Sequence, residues 1–71
     1  MLSSIPDVGA WVMVPECLVE QTKGTRLVPC EVADRECYMG RLTKLVVHYK
    51  GPAPTTLTGP DLKFITEHVE A

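Results

Sequence analysis

Gly40–Gly51 reads GRLTKLVVHYKG, and its alternation decides the fold class. Thr43, Leu45, Val47 and Tyr49 take one parity, while Lys44, Val46, His48 and Lys50 take the other. Successive side chains of a strand point to opposite faces, so this is the pattern of a half-buried strand. Its β-branched and aromatic content agrees. The strand is expected from Tyr38 to Lys50, which is long for a small domain. Gly40 is therefore the expected place for a bend or bulge.

Working back, Val8–Val14 (VGAWVMV) is the expected first strand. Ala10, Val12 and Val14 share one side; Trp11 and Met13 share the other. A strand apolar on both sides needs cover on both, from a closed barrel, a second layer or another subunit. Pro15 lacks a ladder donor and should end or bend this strand. Glu16–Gln21 (ECLVEQ) is ambiguous alone. With the TKGT and RLVPCEVAD that follow, it suggests a hairpin with Lys23-Gly24 near its tip. In the returning arm Val28, Cys30 and Val32 read as the core face, and Leu27, Pro29, Glu31 and Ala33 as the other. Pro29 moves this arm toward an edge or a bulge. Asp34-Arg35-Glu36 is a polar break that reads as a turn.

Working forward, Gly51-Pro52-Ala53-Pro54 is a stiff extended loop. Thr55–Thr58 can form a short strand. Gly59-Pro60-Asp61 then looks like a helix start, with Thr58 or Gly59 as cap and Asp61 at the positive end. Leu62, Ile65 and Val69 fit a helical stripe; Leu62, Phe64 and Thr66 fit a strand face. One helical turn from Pro60 followed by an extended tail is the favoured reading.

Seventy-one residues allow one domain, with 1–7 as a loose lead-in and 66–71 as a frayed tail. So small a core is marginal, which makes a homo-oligomer a reasonable expectation. The 45% hydrophobic content argues for a globule and against disorder. Nine acids against seven bases give a net charge of −2, which offers nucleic acid little bulk attraction. Three cysteines make a poor disulfide framework, and MLSSIPDVGA is too polar and broken for a secretory core. No apolar run reaches membrane-spanning length. A cytoplasmic protein with reduced thiols and no membrane association is expected.

The element order is strand, long connection, hairpin, Pro/Gly loop, strand, one-turn helix and tail. It resembles the SH3-like barrels, including KOW- and Tudor-type modules. The resemblance runs from Asp7 to Ile65 and rests on the strand after Gly9, the paired central strands and the closing Asp61, Leu62, Phe64, Ile65 turn. It implies a mostly β fold: a small barrel of four to five antiparallel strands with a short C-terminal helical turn. The acid-rich loop and paired aromatics of peptide-binding SH3 domains are absent. So are the basic glycine-rich loop of many KOW segments and the Val-Gln-Ile-Tyr strand of the plasmid-borne dihydrofolate reductase. Fold likeness alone transfers no function.

Few residues point to chemistry. Cys17, Cys30, Cys37 and His48 are zinc-ligand types, but structural zinc sites usually hold a closely spaced cysteine pair, and none is present. Cys30 or Cys37 with His48 could form a thiolate–imidazole pair across neighbouring strands. His48, on the polar parity, is more simply a solvent-facing side chain. His68 falls in the tail. Asp34 and Glu36 read as solvated turn charges. The glycines are isolated, so no phosphate-cradling loop exists. No catalytic residue, metal or cofactor is assigned.

Two surfaces remain. Tyr49 and Phe64 are expected in the core, with Trp11 plugging one end or meeting a partner. Large aromatics are enriched at interfaces, so Trp11 and Met13 are the candidate partner-binding residues. Arg41, Lys44, His48 and Lys50, with Tyr38 or Tyr49 stacking, are the candidate nucleic-acid contacts. Lys44, His48 and Lys50 share a parity and could form a stripe, or simply a solvated strand face. The expected function is a small non-enzymatic module that binds a protein partner or itself, of the kind found among bacterial, phage or plasmid accessory proteins. The alternatives are a nucleic-acid-binding module and an oligomeric enzyme whose site lies between subunits.

Overall fold

The computed structural model describes residue 2, residues 4–20 and residues 23–68. Strands β1 (Trp11–Pro15), β2 (Leu27–Tyr38), β3 (Arg41–His48), β4 (Pro54–Thr58) and β5 (Thr66–Glu67) form one antiparallel sheet in the order β4-β3-β2-β1-β5. Two short helical pieces interrupt them: α1 (Glu16–Val19) and a 3₁₀ helix (Gly59–Phe64). The mostly β reading holds, with five strands. The sheet is open: among the described residues no ladder joins its two edges, β4 and β5.

The core is the face carrying Val12 and Val14 of β1, Val28, Cys30 and Val32 of β2, Leu45 and Val47 of β3, and Leu57 of β4, all buried. Ile65, between the 3₁₀ helix and β5, completes it from the far edge. Leu18, Leu42, Tyr49 and Leu62 pack around its margin. The expected core parities of β2 and β3 are therefore correct, whereas β1, expected to be covered on both sides, buries only its Val12 and Val14 side fully and leaves Trp11 half open.

Several local expectations fail, each for an identifiable reason. β1 starts at Trp11 rather than Val8, because Gly9 turns with φ +92° and donates to the Val32 carbonyl at 2.8 Å. Glu16–Val19 is a helical turn, not a strand arm; the hairpin partner of β2 is β1 itself, with Pro15 opposite Leu27. The turn is stable because its exposed amides find acceptors in the returning loop. Glu16 N–H donates to Arg26 O at 2.8 Å, and Cys17 N–H to Gly24 O at 3.1 Å.

Asp34-Arg35-Glu36 is not a turn but the middle of β2. The chain reverses instead at Met39-Gly40, where φ is 52° and 78°. Tyr38 stands opposite Arg41, so this is a two-residue loop, and two positive φ values are the signature of a type I′ turn. The expected strand from Tyr38 to Lys50 is accordingly two strands, β3 being Arg41–His48. The bulge expected at Gly40 lies elsewhere, in two register shifts that bypass Ala33 on β2 and Thr43 on β3. The Thr43 hydroxyl donates to the Glu36 carbonyl at 3.1 Å inside the second shift.

β2 is central, not an edge, yet Pro29 fits. Val32 N–H donates to Ala10 O, so Cys30 and Val28 also direct their backbone groups at β1. Pro29, of opposite parity, turns its nitrogen the other way, where β3 has already ended opposite Glu31.

The 3₁₀ helix and the extended segment after it match the favoured reading of the last third. Thr58 occupies the N-cap position without a capping side-chain hydrogen bond. Phe64, expected in the core, is 51% exposed, because Ile65 takes the inward position. Val69 and the end of the tail lie outside the described residues. At the other end, Arg35 faces the core side opposite Leu45 and donates to Pro6 O at 2.6 Å and Asp7 Oδ1 at 3.2 Å.

Candidate interaction surface

Trp11, Met13 and Pro15 share the parity of β1 opposite to Val12 and Val14, with Trp11 exposed, Met13 half-buried and Pro15 buried at the end of the row. Successive members of such a row lie about 6.8 Å apart. Each has defined neighbours on the flanking strands. Trp11 faces Glu31; Met13 faces Pro29 on one side and Thr66 on the other; Pro15 faces Leu27. Trp11 is 51% exposed, Met13 is half-buried, and Leu27 is exposed. The expected plug at a barrel end is thus a half-open indole on the outer sheet face.

At its Pro15 end this row opens into a hollow of about 440 Å³, walled by Pro15, Cys17, Leu18, Thr25, Leu27 and Phe64. Phe64 precedes β5 by two residues, which brings it alongside Pro15 on the flank away from Leu27. Nearly all of this wall is carbon. Only the rim is charged: Arg26 pairs with Glu16 at 2.8 Å, and Lys63 Nζ lies 5.1 Å from the Phe64 ring centre. Trp11, Met13, Pro29, Leu27 and Phe64 therefore form a continuous apolar band. Sequence reasoning found its Trp11–Met13 half. It missed Leu27 and Phe64, although the outward parity of Leu27 was readable.

The basic candidates do not form one stripe. Tyr38 and Arg41 pair across the tip of the β2–β3 hairpin, where Tyr38 is 70% and Met39 85% exposed. Lys44 lies along β3 and is tied to its cross-strand partner Glu36 at 3.6 Å. His48 sits between Glu31 and Pro54, its Nδ1 buried without a hydrogen-bond partner. Lys50 follows the end of β3 with φ 54°, its Nζ 5.1 Å from the Tyr49 ring centre. Hydrogen bonding to Tyr49, with their charge interaction, raises the Lys50 pKa above the ordinary lysine value. Acidic Glu31, Asp34 and Glu36 interleave with these cations in the β2 register.

A second hollow, about 580 Å³, lies between the lead-in, the β2–β3 hairpin and the 3₁₀ helix, with Leu42 and Leu62 in its wall and Arg41 and Lys63 at its rim.

The cysteines are dispersed. Cys30 is in the core, while Cys17 on α1 and Cys37 near the hairpin tip are exposed. Burial pushes the Cys30 thiol up to about 11, which suppresses the thiolate. Among the described residues no three His, Cys, Asp or Glu side chains gather as metal ligands, and no helix is long and apolar enough to cross a membrane. Comparison of the chain with protein-family models, curated proteins and solved structures gives no match.

Proposed function

We propose that this chain is a small non-enzymatic interaction module that docks a protein partner on its outer β1–β2 face. The observation that carries the reading is the half-exposed Trp11, continuous through Met13 and Pro29 with the carbon-lined hollow at Leu27 and Phe64. Apolar side chains scattered over a surface need no explanation, but a contiguous band around an aromatic ring is the usual character of an interface centre. The scaffold is proposed to be of SH3-like type. What supports this is the element order together with β1 flanked by both β2 and the last strand.

Binding would proceed by removing the Trp11 ring and the Met13 side chain from water against apolar partner groups. Trp11→Ala should abolish capture of the partner from extracts of cells expressing the chain, with little effect of salt. Capture that survives Trp11→Ala and Met13→Ala but falls steeply with salt would contradict the reading and favour a charged ligand. A cytoplasmic setting, proposed from the free cysteines, accords with this role.

A further inference from the structure

The apolar band ends at an unbalanced charge. Glu31 faces Trp11 across the β1–β2 ladder and His48 across β2–β3. Trp11 and Glu31 form a non-hydrogen-bonded pair: one step earlier the Val32 amide donates to Ala10 O at 2.8 Å, and hydrogen-bonded pairs alternate along the ladder, which makes Val12–Cys30 the next one. In such a pair the Cβ atoms stand about 4.5–5.5 Å apart. The other acids of the outer face are engaged. Glu36 pairs with Lys44, and Asp34 accepts the Arg35 amide at 2.8 Å. Glu31 makes no ion pair among the described residues, and the indole beside it is half open to solvent.

We propose that the docked partner is an extended peptide segment carrying a lysine or arginine that sits over Trp11 against Glu31, and an apolar side chain that fills the Leu27–Phe64 hollow. The choice of occupant rests on charge complementarity. An indole face attracts a cation through its quadrupole, and the adjacent carboxylate neutralises it; an acidic segment would meet Glu31 unfavourably. The spacing follows from β1 itself. Trp11 and Pro15, at the two ends of the band, are four residues apart, about 13 Å in a strand. An extended ligand has the same rise, so its cation and its apolar anchor should be separated by three residues. This inference rests on the outer-face docking reading and adds to it the partner's chemistry.

The test is a selection of random decapeptides on the intact chain and on Glu31→Gln, followed by titration of the selected peptides using the emission of the only tryptophan, Trp11. The wild type should enrich peptides with Lys or Arg four positions from a Leu, Ile, Met or Phe. Replacing that Arg by citrulline should weaken binding about tenfold, and Glu31→Gln should weaken it about threefold while removing the basic preference. Apolar peptides enriched equally on both chains, with no basic residue, would overturn the charge assignment and leave the docking face standing. Acidic peptides, or no enrichment with Trp11 emission unchanged, would overturn both. Glu31 is exposed and outside the core, so a folding defect does not confuse the comparison.

Discussion

Cys30 faces Val12 across the β1–β2 ladder, and both are fully buried; one residue earlier in β1, Trp11 faces Glu31 in solvent. A single step along the strand thus separates the core from the interaction face. A slip of one residue would exchange them.

The buried thiol gives the first prediction. Cys17 and Cys37 should react rapidly with a thiol reagent, and Cys30 only on unfolding. Its folded pKa of about 11 lies above the unfolded value of 9.0, so the folded state holds the proton more tightly. That stabilisation is complete below pH 9 and is lost as pH rises to about 11, on the order of 2 kcal/mol. Urea unfolding across this range should show the loss, and Cys30→Ala should largely remove the slope.

The β2–β3 turn gives the second. Met39 holds φ 52° with its side chain almost wholly in water, so its left-handed strain is uncompensated by packing. Met39→Asn should raise stability by about 1 kcal/mol, because Asn-Gly suits a type I′ turn. Gly40→Ala should lower it by about 1 kcal/mol; a Cβ there meets no atom, so the cost lies in φ alone. Denaturant midpoints measure both.

A third contrast separates neighbours at the chain's closing turn. Ile65 is fully buried while Phe64 is half open. Ile65→Ala should cost about 3 kcal/mol through the cavity it leaves, and Phe64→Ser under about 1 kcal/mol. Equal costs in thermal unfolding would mean that both rings and branches reach the core.

Arg35 supplies a fourth. Its guanidinium fastens the lead-in by the Pro6 carbonyl and Asp7. Arg35→Gln should cost about 1 kcal/mol and speed hydrogen exchange at the Gly9 and Val32 amides, which bridge that segment to β2.

How far the sequence carried these features depended on the physics at each place. Alternation in RLVPCEVAD and GRLTKLVVHYKG was enough to name the buried face of β2 and β3, because a period of two survives in any antiparallel pairing, while VGAWVMV, apolar on both sides, left the buried face of β1 open. Turns were harder. Asp34-Arg35-Glu36 has turn composition but lies in β2, its bend absorbed by bulges at Ala33 and Thr43. The real turn carries Met39, a residue with no left-handed preference, so composition hid it. ECLV is helical because of amide acceptors supplied by residues 24 and 26, contacts that no local pattern encodes. The candidate surface was legible at Trp11 and Met13 by parity; its Leu27–Phe64 extension depended on the register that brings the 3₁₀ helix beside β1.

The most direct test of the docking face is site-specific photocrosslinking in cells expressing the chain, with the photoreactive residue placed in turn at Met13, Tyr38 and Val46. The account predicts a discrete protein adduct from position 13, lost on Trp11→Ala, and none from positions 38 and 46. Adducts from 38 or 46 with position 13 silent, or adducts to nucleic acid, would contradict it.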